Sequence, residues 1–155
     1  VDGVAGLVVD TLWAAKGARE TMSPLLQAFA GLGRTALSFA PTYSMYPEYA
    51  RNTHTIWVAA RRAEDCSIVL PSELAAIAEH RPAVVLLASP NNPTGTAVPL
   101  QVIEVILDAA PGMVLVDEAY GEFRRDGTPS ALELLPRYPR LVVPRTMSQA
   151  FSLAR

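Results

Sequence analysis

Ala83-Val84-Val85-Leu86-Leu87-Ala88, followed at once by Ser89-Pro90-Asn91-Asn92-Pro93-Thr94-Gly95, is the stretch that sets the fold class. The first six residues are apolar without alternation, which predicts a strand covered on both faces. The prolines, asparagines and glycine behind it predict a tight turn. Working outward, Met113-Val114-Leu115-Val116 and Leu141-Val142-Val143 read as further buried strands, and Arg34–Phe39 and Thr55–Ala59 as shorter ones. Helices are predicted from Glu20 to Gly31, with Gly31 as the C-terminal glycine, from Ser72 to His80, and from Pro99 to Ala110. Ser72, directly after Pro71, is expected to cap its helix. Tyr43–Tyr49 reads as a short helix or turn, and Val4–Trp13 as a helix. Strands separated by helices predict an α/β fold, a mostly parallel sheet with helices on both faces. In such sheets ligands gather at the carboxyl ends of the strands.

Composition narrows the function classes. The chain has 155 residues, about one domain, is 50% hydrophobic and carries a formal net charge of -2. That balance fits a packed globular domain and gives no basic face for nucleic acid. No apolar run is long enough for a bilayer, and no charged-then-apolar secretory pattern opens the chain, so a cytoplasmic location without membrane association is expected. The one cysteine, Cys66, excludes an internal disulfide and reads as a partly buried or loop thiol. His54 and His80 lack metal-ligand spacing, Trp13 and Trp57 are expected in the core, and no metal is expected. Lys16 is the only lysine, so any lysine chemistry has one candidate. The chain opens inside a predicted helix and stops just after its most motif-like stretch, which predicts an incomplete domain.

Attention then falls on the strand ends. After the 83–88 strand stand two asparagines between prolines, more carboxamide than a turn requires. After Met113–Val116 comes Asp117-Glu118-Ala119-Tyr120. A carboxylate there is partly desolvated and wants a cationic partner. After Leu141–Val143 comes Arg145-Thr146-Met147-Ser148-Gln149-Ala150-Phe151, whose small polar groups could hold an anion. Plainer readings exist: Asp117 as a surface cap, Tyr120 as a core tyrosine, Tyr43 as a packing aromatic. Arg124-Arg125 beside Asp126 reads as a solvated turn, with a basic edge near an anionic substrate as the alternative.

Asn92-Pro93-Thr94-Gly95, Asp117-Glu118-Ala119-Tyr120 and Ser148-Gln149-Ala150-Phe151, in this order and spacing, resemble the signatures of the fold-type I pyridoxal-phosphate aminotransferases. Pro41-Thr42-Tyr43-Ser44-Met45-Tyr46 and Glu118-Ala119-Tyr120-Gly121-Glu122-Phe123 are similar to the histidinol-phosphate branch of that family. The resemblance covers nearly the whole chain. It implies that residues 1–155 are a partial large domain, without the N-terminal arm and the C-terminal small domain. It also implies pyridoxal phosphate as cofactor. Asp117 would pair with the ring nitrogen, Asn92 and Tyr120 would donate to the phenolic oxygen, and Tyr43 would stack on the ring. Gly17, Ala18 and Arg19, opening a helix, would receive the phosphate with Ser148.

The sequence departs from the pattern at Gln149, where the family has the lysine that binds the cofactor covalently and then moves the substrate proton. A carboxamide is neither nucleophile nor titratable base, so the resemblance implies at best a non-covalent cofactor and a catalytically impaired chain. Lys16, beside the phosphate turn, is not expected to substitute. Arg19 stands where a small polar or acidic residue is usual, and could pair with the phosphate or block it. Two hypotheses follow. One is a piece of a transaminase working between glutamate and an imidazole or aromatic substrate in histidine or other amino-acid biosynthesis. The other is a non-catalytic cofactor-binding relic. An unrelated nucleotide-binding domain fares worse, since no G-x-G-x-x-G or G-K-[ST] loop follows a strand. The family implies a homodimer, and apolar surface normally covered by a second domain predicts aggregation of the isolated chain.

Overall fold

The computed structural model describes residues 11–151. The helix expected over Val4–Trp13 falls mostly outside that range. Leu12 and Trp13, inside it, belong to neither helix nor strand. Trp13 is 58% exposed and is no core residue, because the lead into the first helix runs outside both apolar layers. Trp57 does pack against a buried cluster.

The sheet contains β1 (Thr35–Ala40), β2 (Ile56–Arg61), β3 (Val84–Ala88), β4 (Met113–Asp117) and β5 (Leu141–Val142). All pairs are parallel, in the order β2-β1-β3-β4-β5. Four α-helices accompany them among the described residues: α1 (Ala18–Phe29), α2 (Tyr46–Asn52), α3 (Leu70–His80) and α4 (Leu100–Ala109). The α/β class and the mostly parallel sheet are as the sequence predicts. No described helix is long and apolar enough to cross a membrane.

Strand periodicity divides the core into two layers. Side chains alternate faces along a strand, so Leu37, Phe39, Val85, Leu87, Val114 and Val116 pack with Ile77 of α3 and Ile103, Ile106 and Leu107 of α4. The intervening Ala36, Val84, Leu86, Ala88 and Leu115 pack with Met22 and Leu26 of α1 and Tyr46 and Tyr49 of α2. Each fully buried Leu or Ile contributes about 1.5–3 kcal/mol, which makes these layers the main stabilising term. The direction of travel across the sheet explains which helix lies where. From β2 to β3, β3 to β4 and β4 to β5 the chain moves one way, over the α3–α4 face. From β1 to β2 it moves the other way and crosses the opposite face with α2, as a single crossover hand requires.

Local signals account for the boundaries. α1 begins at Ala18, two residues before the predicted start, and Gly31 follows its cap residue Ala30 with φ +104, where glycine is unstrained. Ser72 does not cap α3. The helix starts at Leu70 with Val69 at the cap and Pro71 in the first turn, a position where the missing N–H costs nothing. Ser72 instead donates to Val69 O and to Glu73 Oε2. At Gly112 an added Cβ would stand 2.0 Å from Ala83 O, so this turn admits only glycine at the entrance to β4.

Candidate cofactor site

The sheet order creates a switch point. The chain leaves β1 toward β2 on one side, then returns to place β3 on the other. Loops after β1 and β3 therefore part at their carboxyl ends, where open α/β sheets bind ligands. Asn91 ties the two loops, its Nδ2 donating to Pro41 O at 3.1 Å and Thr94 Oγ1 at 2.8 Å. Beside this point lies a cleft of about 700 Å³. Tyr43, Asn92, Asp117, Tyr120, Ser148 and Gln149 all line it, as do Gly17 and Ala18 at the start of α1. Residues predicted from five separate segments thus meet at one place. The Arg19 side chain lies outside what the structure describes.

Alternation along β4 decides what Asp117 faces. Met113, Leu115 and Asp117 share the α1–α2 side, and Asp117 pairs in register with Ala88. Its carboxylate accepts from the Tyr46 hydroxyl at 3.0 Å and from the Ala119 N–H at 3.0 Å. Burial pushes the Asp117 carboxyl above the ordinary range, while these two hydrogen bonds pull it down and the neighbouring Glu118 charge adds to the rise. Burial and the adjacent Asp117 charge push the Tyr46 phenol well up, so it stays the donor. No basic side chain forms a salt bridge with Asp117 among the described residues. A buried carboxylate in a cleft, held only by neutral donors, suits a cationic ligand group.

Glu118, one residue on, points to the other layer. It accepts from Ser130 Oγ at 2.7 Å, Ala131 N at 2.7 Å and Arg124 Nη1 at 3.1 Å. Arg124 is therefore not in a solvated turn as the sequence reading had it. The 2% exposed Glu118 side chain draws it in, because a buried carboxylate needs charge compensation.

At the far end of the cleft, Gly17 precedes α1 as its cap residue and offers no side-chain cap. Gly17 has φ +88, and an added Cβ would meet Thr146 Oγ1 at 3.4 Å. Thr146 and Ser148 share a hydroxyl–hydroxyl bond of 2.8 Å, and Ser148 also contacts the Gln149 carboxamide oxygen. Uncapped N–H groups beside two hydroxyls form an environment for an anion. On the remaining side, Asn92 Nδ2 donates to the Tyr120 hydroxyl at 3.3 Å. Tyr43 meets Tyr46 edge-on, with centroids 5.5 Å apart. The sequence places Tyr46 in the 41–46 motif without a role of its own, and Thr146 only among the small polar groups after β5. Tyr46 carries a usable signal, an aromatic three residues after Tyr43 that opens α2 and is fully buried. Among the described residues no group of three or more His, Cys, Asp and Glu side chains is arranged for a metal ion.

A family model described as aminotransferase class I and II matches residues 4–155. The chain belongs to this family. The histidinol-phosphate aminotransferase of Thermobifida fusca is 54% identical over 149 residues, which cover 96% of this chain and 41% of that protein. The crystal structure of histidinol-phosphate aminotransferase from Sinorhizobium meliloti in complex with pyridoxal-5'-phosphate superposes with a TM-score of 0.80 at 23% identity, covering 90% of this chain and 38% of that one. A pyridoxal-phosphate-bound C-S lyase from Staphylococcus hominis reaches 0.84 at 17% identity, covering 94% and 39%. These two likenesses establish the fold alone. The chain spans about two-fifths of the length of the curated relatives it matches.

Proposed function

We propose that this aminotransferase-family chain is part of the large domain that binds pyridoxal phosphate in a transaminase that passes the amino group of glutamate to the ketone corresponding to histidinol phosphate. We further propose that, with glutamine at 149, it holds the cofactor without a covalent bond and does not transaminate. The observation that carries this reading is the meeting of Asp117, the Asn92–Tyr120 pair, Tyr43 and the Gly17–Ser148 corner on one cleft. The 54% identity to the Thermobifida enzyme favours histidinol phosphate over another aromatic substrate.

The residues fit the cofactor's charges from end to end. The buried Asp117 carboxylate would hold a ring N–H, and the α1 start with Thr146 and Ser148 would hold a phosphate. When bound, pyridoxal phosphate supplies an electron-withdrawing ring that stabilises negative charge at the substrate α-carbon. Asp117 would hold a proton on the ring nitrogen. Tyr120, its oxygen already accepting from Asn92, would have its own proton free for the phenolic oxygen. Tyr43 would shield the ring from water, and Gly17 and Ala18 would hold the phosphate. At the reacting end Gln149 would offer no base, because a carboxamide has no titratable nitrogen; Lys16, the only lysine, lines the same cleft beside Gly17.

Gln149 also favours a second reading, a chain that binds the cofactor and has no catalytic duty. Within the family a homodimer is the expected assembly for either. Titrating the full chain with pyridoxal phosphate, then assaying glutamate-dependent transamination of the histidinol-phosphate ketone, tests both. Reversible binding without turnover supports the proposal. Turnover by the chain with Gln149 in place would refute it.

A further inference from the structure

Arg145 lies where two loops of the cleft meet. Its Nη2 donates to Glu122 Oε1 at 2.6 Å, and its Nε lies 3.9 Å from Glu118 Oε2. The guanidinium passes over Gly121, where an added Cβ would stand 3.3 Å from Nη2. Behind it, Glu118 N donates to Pro144 O at 3.0 Å, extending the β4–β5 pairing toward the cleft. One side of this junction carries Asp117 and Tyr120, and the other carries Thr146, Ser148 and Gln149. Glu118 is buried and tied to the 3-10 turn Ala131–Leu134 through Ala131, so it offers Arg145 a fixed anchor.

We infer that Arg145 is a positioning residue that locks the Thr146–Ser148 hydroxyls, the phosphate end of the cleft, to the loop bearing Asp117 and Tyr120. The inference rests on the proposed cofactor site and adds a residue to it. Arg145 does not line the cleft, so its effect passes through Thr146, its neighbour in sequence. Glu122 accepts the guanidinium's hydrogen bond, and the buried Glu118 carboxylate stands within ion-pair distance of its Nε. Gly121 leaves the space for the crossing. Losing the lock leaves the ring end of the cleft intact, since Asp117 is held independently by Tyr46 and Ala119. The phosphate end alone loosens.

Pyridoxal, the same ring without the phosphate, separates the two ends. Affinities of the full chain for pyridoxal phosphate and for pyridoxal are measured by fluorescence quenching in the parent, Arg145→Ala and Glu122→Gln. Arg145→Ala is expected to shrink the phosphate preference about fivefold, the size of one well-anchored ion pair, with pyridoxal affinity changed less than about twofold. Glu122→Gln, which keeps the side-chain shape, shrinks it in the same direction by less, and carries the test if melting curves show Arg145→Ala unfolded. An unchanged preference in the variants, or equal losses for both ligands, overturns the role of Arg145 and leaves the site reading standing. A parent chain with no preference for the phosphorylated ligand overturns both.

Discussion

The Tyr46 hydroxyl donates to Asp117 Oδ2 at 3.0 Å, from a ring that is fully buried and meets Tyr43 edge-on. One side chain thus orients both the carboxylate proposed for the ring nitrogen and the aromatic proposed for the ring face. Tyr46→Phe keeps the packing and removes the donor. Without that hydrogen bond the Asp117 carboxyl rises further, so an ionised carboxylate is lost at a higher pH. Pyridoxal-phosphate affinity measured from pH 5 to 8 should fall earlier, as acid is added, in the variant than in the parent. Coincident profiles would show that Tyr46 does not tune Asp117.

Asp117→Asn separates function from stability. The folded-state carboxyl is raised by burial. Its contribution to stability is therefore full below the unfolded value and is lost as pH rises through the folded one. At neutral pH the cofactor-free chain carries that cost, and the neutral carboxamide removes it. The variant should melt higher than the parent at pH 7.5, with the difference disappearing in acid, and should bind pyridoxal phosphate on the order of 10²-fold more weakly. Calorimetry at two pH values and a binding titration check both halves.

Gly112→Ala tests the packing of the sheet away from the cleft. The new methyl would collide with the Ala83 carbonyl, which accepts the Met113 N–H at 2.9 Å. Backbone cannot yield as a flexible side chain does, so a loss of about 2–4 kcal/mol is expected in urea unfolding. A change below about 0.5 kcal/mol, the usual range for neutral surface substitutions, would contradict the close approach.

Gly17→Ala probes the phosphate end. It forces a side chain into φ +88 and brings a methyl to 3.4 Å from Thr146 Oγ1. With ψ at 171 this is a backbone region that essentially only glycine adopts, and it costs another residue about 1–3 kcal/mol. Pyridoxal-phosphate affinity should drop more than pyridoxal affinity, read by the same quenching titrations.

Much of this fold was legible because buried parallel strands leave unbroken apolar runs. Val84–Ala88 and Met113–Val116 needed no partner to be recognised, and the motifs after them marked the strand ends that the switch point gathers together. What the sequence concealed depended on three-dimensional neighbours. Arg124 reads as a solvated turn until the buried Glu118 on the opposite layer is seen to draw it in. Trp13 looks like a core residue by type, yet its segment runs outside both layers. Ser72 resembles a cap, but the tolerance of a first turn for Pro71 moved the helix start upstream. Tyr46 stands in the 41–46 motif, but its role is a contact with a residue 71 positions away, which no local pattern reveals.

The central claim is that position 149 faces the reactive carbon of a bound pyridoxal phosphate and that glutamine there leaves the cofactor unattached. Borohydride fixation of the full chain with pyridoxal phosphate, followed by peptide mass spectrometry, tests it on the parent and on Gln149→Lys. The expected result is a label on residue 149 in the variant, and a parent whose cofactor washes out on gel filtration. A variant labelled at Lys16 and not at residue 149, or a parent stably labelled at Lys16, would contradict it.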